Sequence, residues 1–208
     1  MKVIVIGATG TIGSAVVEQL GQRHDIVGVG ARSGRYQADI ADIAQVRALF
    51  ARVGKVGAVV VAAGALHVGP FDQLTPGHFH VGLNSKLMGQ VNVAMVARDY
   101  LDDGGSITLT SGVDTDHPIR GAVAASTANA AVVGFVRGAA IELPRGLRIN
   151  VVSPTVLEES MPVFRPLFIG FEPIAGKRAA LAYARSVDGA QTGQVYRVWQ
   201  GHSPGGGG

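Results

Sequence analysis

Residues 3 to 13 constrain this chain most. They read Val-Ile-Val-Ile-Gly-Ala-Thr-Gly-Thr-Ile-Gly, an apolar run that breaks into three glycines spaced three apart and then passes into a helical pattern. Gly7 lets the chain leave a buried strand in a tight turn. Gly10 removes the side chain that would block a pyrophosphate, and Gly13 lets the following helix sit close on the sheet. Free N–H groups in the first helical turn and the positive end of the helix dipole favour a phosphate without any basic side chain. The flanks make this more than a glycine-rich turn: Met1-Lys2-Val3-Ile4-Val5-Ile6 reads as a buried strand, and Ile12, Ala15, Val16 and Leu20 recur at roughly helical spacing. Strand, loop and helix in this order predict a dinucleotide cradle formed by Gly7, Thr9, Gly10, Thr11, Ile12 and Gly13.

The same alternation continues along the chain. Apolar, β-rich runs at 2–6, 25–30, 57–62, 105–110, 147–152 and 194–199 predict strands, and helical patterns fall at 11–22, 42–53, 74–101, 121–143 and 173–187. A continuous apolar strand such as Ala58-Val59-Val60-Val61-Ala62 is buried on both faces, which calls for a parallel sheet with helices on each side. Too few residues separate the second strand from Asp39 for a helical crossover, so any edge strand around Tyr36 to Ala38 is a stub. With 208 residues, 47% of them apolar and 16% charged, the chain suffices for one sizeable core but not for two ordinary domains. The expected architecture is a single α/β domain over residues 1–201, a doubly wound parallel sheet of about six or seven strands of the Rossmann kind. Residues 202–208, Gly-rich and without apolar surface to bury, are expected to form a flexible tail.

Composition removes several function classes. Without cysteine there are no disulfides, thiol nucleophiles or Cys-type metal sites. No apolar run approaches the roughly 20 residues that span a bilayer, and the first apolar stretch enters the glycine loop without a cleavage-type site. No membrane association and a cytoplasmic location are therefore expected. The net charge is +3 and the arginines are scattered singly, which argues against a nucleic-acid face. Residues 154–173, without clear periodicity, carry Met161, Phe164, Leu167, Phe168, Ile169 and Phe171 among prolines. This segment emerges where ligands bind open parallel sheets, so it reads as a lid over an apolar pocket, with simple packing or an oligomer contact as the alternative.

Taken in order, these landmarks resemble the short-chain dehydrogenase/reductase family across residues 1 to about 201. They are the glycine loop; Asp39 after the edge strand; Ala62-Ala63-Gly64, similar to the family's Asn-Ala-Gly; Asn84 in the next long helix; Gly105-Ser106-Ile107 with Ser111 closing the fifth strand; Arg148-Ile149-Asn150-Val151-Val152-Ser153-Pro154; and Thr192-Gly193. The resemblance implies a nicotinamide cofactor held further by Ala63, Gly64, Asn129, Pro154 and Val156. It implies pairing into a homodimer or homotetramer through the helices at 74–101 and 121–143. In that family a Tyr gives the proton to a carbonyl, a Lys in a Tyr-x-x-x-Lys motif lowers the Tyr pKa and holds the ribose, and a Ser orients the substrate.

The Tyr-Lys pair is missing here. Ala125 stands at the Tyr position and Asn129 at the Lys position. Alanine donates no proton, and Asn129 can bond a ribose hydroxyl but carries no charge. Substitutes are therefore sought. Ser111 would polarise the substrate oxygen, Asn84 would organise a water or backbone near it, and Lys86 would supply the positive charge or the proton, unless it simply faces solvent. Asp114, Asp116 and His117 follow Ser111, and histidine is the one type among them whose charge ordinarily changes near neutral pH. A solvated loop is the plainer reading of the three, and no fourth ligand at telling spacing supports a metal site. Ser126 and Thr127 follow the empty Tyr position, but hydroxyls need strong activation to replace a phenol.

At the end of the second strand an acidic residue would select NAD(H). The chain has instead Val27-Gly28-Val29-Gly30-Ala31-Arg32-Ser33-Gly34-Arg35, a guanidinium and a hydroxyl suited to a 2′-phosphate. NADP(H) is the expected cofactor, with Arg32 as main contact and Ser33 assisting; Arg35 is either a second contact or an edge charge. By resemblance, Asp39 takes the adenine amino group. Two functions follow. One is an NADP(H)-dependent oxidoreductase of a small apolar or weakly polar carbonyl or alcohol with a non-Tyr proton donor. The other is a catalytically silent NADP(H)-binding sensor or regulatory subunit.

Overall fold

The computed structural model describes residues 1–199. Seven parallel strands form one sheet in the order β3-β2-β1-β4-β5-β6-β7. They are β1 (Lys2–Ile6), β2 (Asp25–Gly30), β3 (Tyr36–Gln37), β4 (Val56–Val61), β5 (Leu101–Thr110), β6 (Arg148–Pro154) and β7 (Val195–Val198). Strands β1 and β4 are wholly or almost wholly buried, as their unbroken apolar runs require. The edge strand β3 is the expected stub, two residues long. The Gly-rich tail expected at 202–208 lies outside the described residues.

Helices cover both faces. On one side α1 (Thr11–Gly21) and α7 (Gly176–Asp188) pack against β1, β4 and β6 through Val16, Leu20, Ala179, Tyr183 and Val187. On the other, α2 (Ile43–Val53), α4 (Gly89–Tyr100) and α5 (Val123–Ala139) bury Phe50, Val93, Ala97, Val132 and Val136 against the sheet. The long helix read at 74–101 is in three parts: α3 (Pro76–Gly82), a π-helical stretch at Leu83–Met88, and α4. A short α6 (Met161–Phe164) lies in the segment expected to be a lid.

Three contacts position the site. A Cβ on Gly82 would come within 2.9 Å of the Ala128 Cβ, so glycine lets the α3 end lie directly on α5. The buried Gln90 side chain donates to the Thr110 carbonyl at 2.9 Å and accepts from the Thr110 N–H at 2.8 Å, fixing α4 to the last residue of β5. On the opposite face the Thr110 hydroxyl donates to the Val61 carbonyl at 2.6 Å and accepts from Tyr183 at 2.7 Å. The C-terminal ends of β4 and β5 are thereby locked together, and ligands bind beyond these ends in sheets of this topology.

Candidate active site

The strand order reverses between β1 and β4, and the glycine loop leaves β1 at this point. Gly7 adopts a φ of +82°, and a Cβ there would run into the Ala62 carbonyl. A Cβ on Gly13 would penetrate the Gly7 carbonyl, so the helix start can approach the strand only with glycine at both places. Gly10 differs, because its nearest obstacle is the Gly7 carbonyl at 3.4 Å and its outer side is open. Helix α1 begins there with no side-chain cap and no acidic residue in its first turn. Its first N–H groups are left for an anion.

From this cradle a cleft of about 450 Å³ runs across the strand ends. Thr11, Ile12, Ala63, Gly64, Asn129, Pro154 and Val156 of the expected cofactor set line it. So does Thr155, which the sequence reading passed over; its Oγ1 is buried without a hydrogen-bond partner, as is Asn129 Oδ1. Buried polar atoms of this kind are satisfied by a ligand or water. An uncapped helix start, an open face at Gly10 and two unsatisfied polar atoms along the cleft fit a dinucleotide lying from α1 towards α5. Thr9, Arg32, Ser33 and Asp39 are exposed and lie outside the cleft lining. Asp39 Oδ1 accepts from the Ala41 N–H at 3.0 Å, and Arg35 stacks over Tyr36 at 5.5 Å, which is an edge role.

The reaction end differs from the expectation in two places. Asn84 is exposed and absent from the cleft lining. The inward stripe of this helix is Gly82, Lys86, Gln90 and Val93, spaced by three or four residues, and Asn84 falls between its members. Ser111 does line the cleft, but its Oγ–H donates to the Asn129 carbonyl at 3.0 Å. Its one proton is thus directed into α5, so as it stands Ser111 offers the cleft an acceptor, not the expected donor.

Lys86 is in the cleft wall and 7% exposed. Its stem crosses Gly64: a Cβ there would sit 2.7 Å from Lys86 Cα and 2.8 Å from Cδ, and Gly64 has a φ of +125°. Burial pulls the Lys86 ammonium down to about 8, with Asp114 opposing the shift. Asp114 follows Gly112 in a 3₁₀ turn (Val113–Thr115). Its Oδ1 accepts from Asn129 Nδ2 at 2.9 Å and its Oδ2 from the Ser126 hydroxyl at 3.1 Å. Burial raises the Asp114 carboxyl, while these two hydrogen bonds and the charge of Lys86 work against the rise. Lys86 and Asp114 are the charged residues that line the cleft.

The other candidates have structural employment. Asp116 pairs with Arg197 at 2.9 Å. His117 is exposed and packs edge-on against Trp199, ring centres 4.1 Å apart, and against Phe171. Thr127 returns its hydroxyl to the Val123 carbonyl at 2.8 Å. Among the described residues no cluster of histidine and carboxylate side chains is arranged for a metal, and no helix is long and apolar enough to cross a membrane. Leu66, Val68, Ile119, Ala122 and Ala125 form an apolar wall, and Phe164, Leu167 and Phe168 of the 154–173 segment close it from above.

A phosphate cradle at the switch point of a doubly wound sheet, continued by a cleft across the strand ends, defines a dinucleotide-binding α/β protein. A family model described as Enoyl-(Acyl carrier protein) reductase matches residues 4–191, and the chain belongs to the short-chain dehydrogenase/reductase family of oxidoreductases. It is similar over 96% of its length to the whole of the protein lin1944 from Listeria innocua, with 45% identity and a TM-score of 0.94. A small-chain dehydrogenase solved in complex with NADPH shares the fold, with a TM-score of 0.86 and 24% identity over 95% of this chain and 96% of that one. Hydroxynaphthalene reductase arp2 of Aspergillus fumigatus is 26% identical over 141 residues, 65% of this chain and 52% of that protein. The chain spans about half the length of the curated relatives it matches.

Proposed function

We propose that the protein is an NADP(H)-dependent oxidoreductase of a small apolar or weakly polar carbonyl or alcohol, with Lys86 in place of the Tyr as the group that gives or takes the proton. The observation that carries this reading is a buried lysine in the cleft wall whose proton is loosened to about 8. An acid poised near the working pH is what proton transfer to a developing alkoxide needs. The bound nicotinamide would supply or accept the hydride at the substrate carbon. In the reducing direction Lys86 Nζ gives one proton to the substrate oxygen as that carbon is reduced, and the neutral amine then regains a proton from solvent. Asn129 and Thr155 line the cleft, each with an unsatisfied buried oxygen that a bound ribose or carboxamide would engage on closing over it, and Arg32 with Ser33 stands at the end of β2, where a 2′-phosphate would lie. The apolar wall and the three lid side chains exclude water and favour an uncharged substrate. The NADPH complex of one neighbour and the reductase name of one relative support the NADP(H) and oxidoreductase parts of this reading.

The test titrates NADPH and NADH separately into the protein and into Arg32→Ala by nicotinamide fluorescence, then assays Lys86→Met on a panel of apolar ketones and aldehydes. Tighter NADPH binding that Arg32→Ala selectively weakens, and turnover that Lys86→Met removes, are the expected results. Turnover unchanged in Lys86→Met would end the role of Lys86. Cofactor binding with no turnover of any panel member would leave the sensor as the surviving function.

A further inference from the structure

We propose that Asp114 is the positioning residue of Lys86: a carboxylate fixed by Asn129 and Ser126, in volume left free by Gly112, holds the lysine in its ammonium form inside an apolar cleft. This rests on the reading of Lys86 as the proton-bearing group.

The geometry for it is built from three sides. Asn129 and Ser126, on α5, each bond one oxygen of the carboxylate, so its orientation is set before any ligand arrives. Gly112 makes the room. Its φ is −160°, extended backbone that any residue adopts, so glycine is not needed there for conformation. A Cβ at 112 would, however, stand 2.6 Å from Asp114 Oδ1 and 3.0 Å from Asn129 Nδ2. Glycine is therefore kept for the volume of the carboxylate and its amide donor. On the far side Gly64 gives Lys86 its path into the same cleft. Lys86 and Asp114 are the charged groups lining this one cleft without forming a direct ion pair, so the clamped carboxylate acts on the ammonium across the cleft, opposing the effect of burial.

The pair reverses the charges of the arrangement that the family resemblance implies. There a neutral acid, Tyr, works beside a fixed cation, Lys. Here the acid is itself a cation and its fixed neighbour is an anion. A buried ammonium is pushed towards loss of its proton by desolvation, so without Asp114 a larger share of Lys86 would stand as free amine at neutral pH. Asn129, at the position of the missing Lys, and Ser126, beside the missing Tyr, are here the two donors that hold the carboxylate. Asp116, two residues on, is a suitable comparison because it is held by Arg197 outside the cleft.

The experiment measures the pH dependence of trace acetylation of Lys86 by acetic anhydride, read by peptide mass spectrometry on the full chain, in the native protein, Asp114→Asn and Asp116→Asn. Asp114→Asn keeps the size and the acceptor oxygen for Asn129 Nδ2, requires the Ser126 hydroxyl to accept instead of donate, and removes the charge. Its labelling midpoint should fall by about half a pH unit or more, roughly threefold more free amine at neutral pH, and Asp116→Asn should leave the midpoint in place. Gly112→Ser, which crowds the carboxylate without touching its charge, should move the midpoint the same way. An unchanged midpoint in Asp114→Asn, with the protein folded by circular dichroism, overturns the inference. The two readings fail separately: full turnover in Lys86→Met would remove the proton-donor role, whereas the labelling result concerns only whether Asp114 sets the charge of Lys86.

Discussion

Replacing Lys86 by methionine should make the protein more stable while removing its proposed activity. Methionine keeps the length and apolar stem that lie over Gly64, so packing changes little. What disappears is a charge held out of water. In the native fold Lys86 is pulled from 10.5 to about 8. At about 1.36 kcal/mol per pH unit, this corresponds to a cost of roughly 3 kcal/mol for keeping the ammonium buried. Asp114, left without its cation, returns part of this, so roughly 3 kcal/mol is the ceiling on the gain. The sign follows from linkage. Below about pH 8 both folded and unfolded chains hold the proton and the full cost is present. Between about 8 and 10.5 the folded chain has released it while the unfolded chain still binds it, so the native protein gains stability as pH rises. Above 10.5 both forms are neutral and the cost is gone. Urea unfolding of both proteins at intervals from pH 7 to 10.5 should show the variant ahead at pH 7, by up to several degrees in parallel thermal melts. Its lead should shrink to nothing by the upper limit. A difference that stays flat across that window would refute the buried-ammonium account, because no desolvation cost would then be coupled to the proton.

Three further outcomes test the frame around the site. Gly13→Ala should destabilise the fold by more than about 2 kcal/mol and abolish nucleotide binding, since its Cβ would enter the Gly7 carbonyl; urea unfolding and NADPH titration read both effects, and binding at native strength would show that the loop can relax. Tyr183→Phe leaves the Thr110 oxygen without its donor and should cost about 1 kcal/mol, a fall of a few degrees in Tm; an unchanged melt would mean that the Tyr183–Thr110–Val61 chain contributes nothing net. Phe168→Ala removes part of the apolar cover of the cleft and should raise KM for apolar carbonyls by about tenfold with little change in kcat, whereas an equal fall in kcat would place the ring at the reacting atoms.

Much of the architecture was legible in the chain because it is written in local rules. Three glycines between a buried strand and an amphipathic helix specify one turn, and unbroken apolar strands alternating with helices specify a parallel sheet covered on both faces. Ile12, Gly64, Asn129 and Pro154, expected on that frame, line the cleft. The reaction half was read less well. The family pattern points to Asn84 and Lys86 together, whereas the buried stripe Gly82, Lys86, Gln90 and Val93 is a helical period that admits Lys86 alone. From the sequence Asp114 reads as a loop acid, because its partners, Asn129 and Ser126, belong to a helix that only the fold brings alongside.

By itself the sequence determined the phosphate cradle, the parallel sheet and the loss of the Tyr-Lys pair, since each depends on neighbours a few residues apart. Tertiary structure decided which charged groups line the cleft beside that position. Whether a lysine is solvated or buried, whether a serine's proton points into the cleft or into a helix, and whether an aspartate is loose or clamped are properties of groups distant in the chain. Lys86, Asp114 and Asn129 reach one cleft from three elements, and the desolvation that loosens the lysine proton exists only once they are packed together.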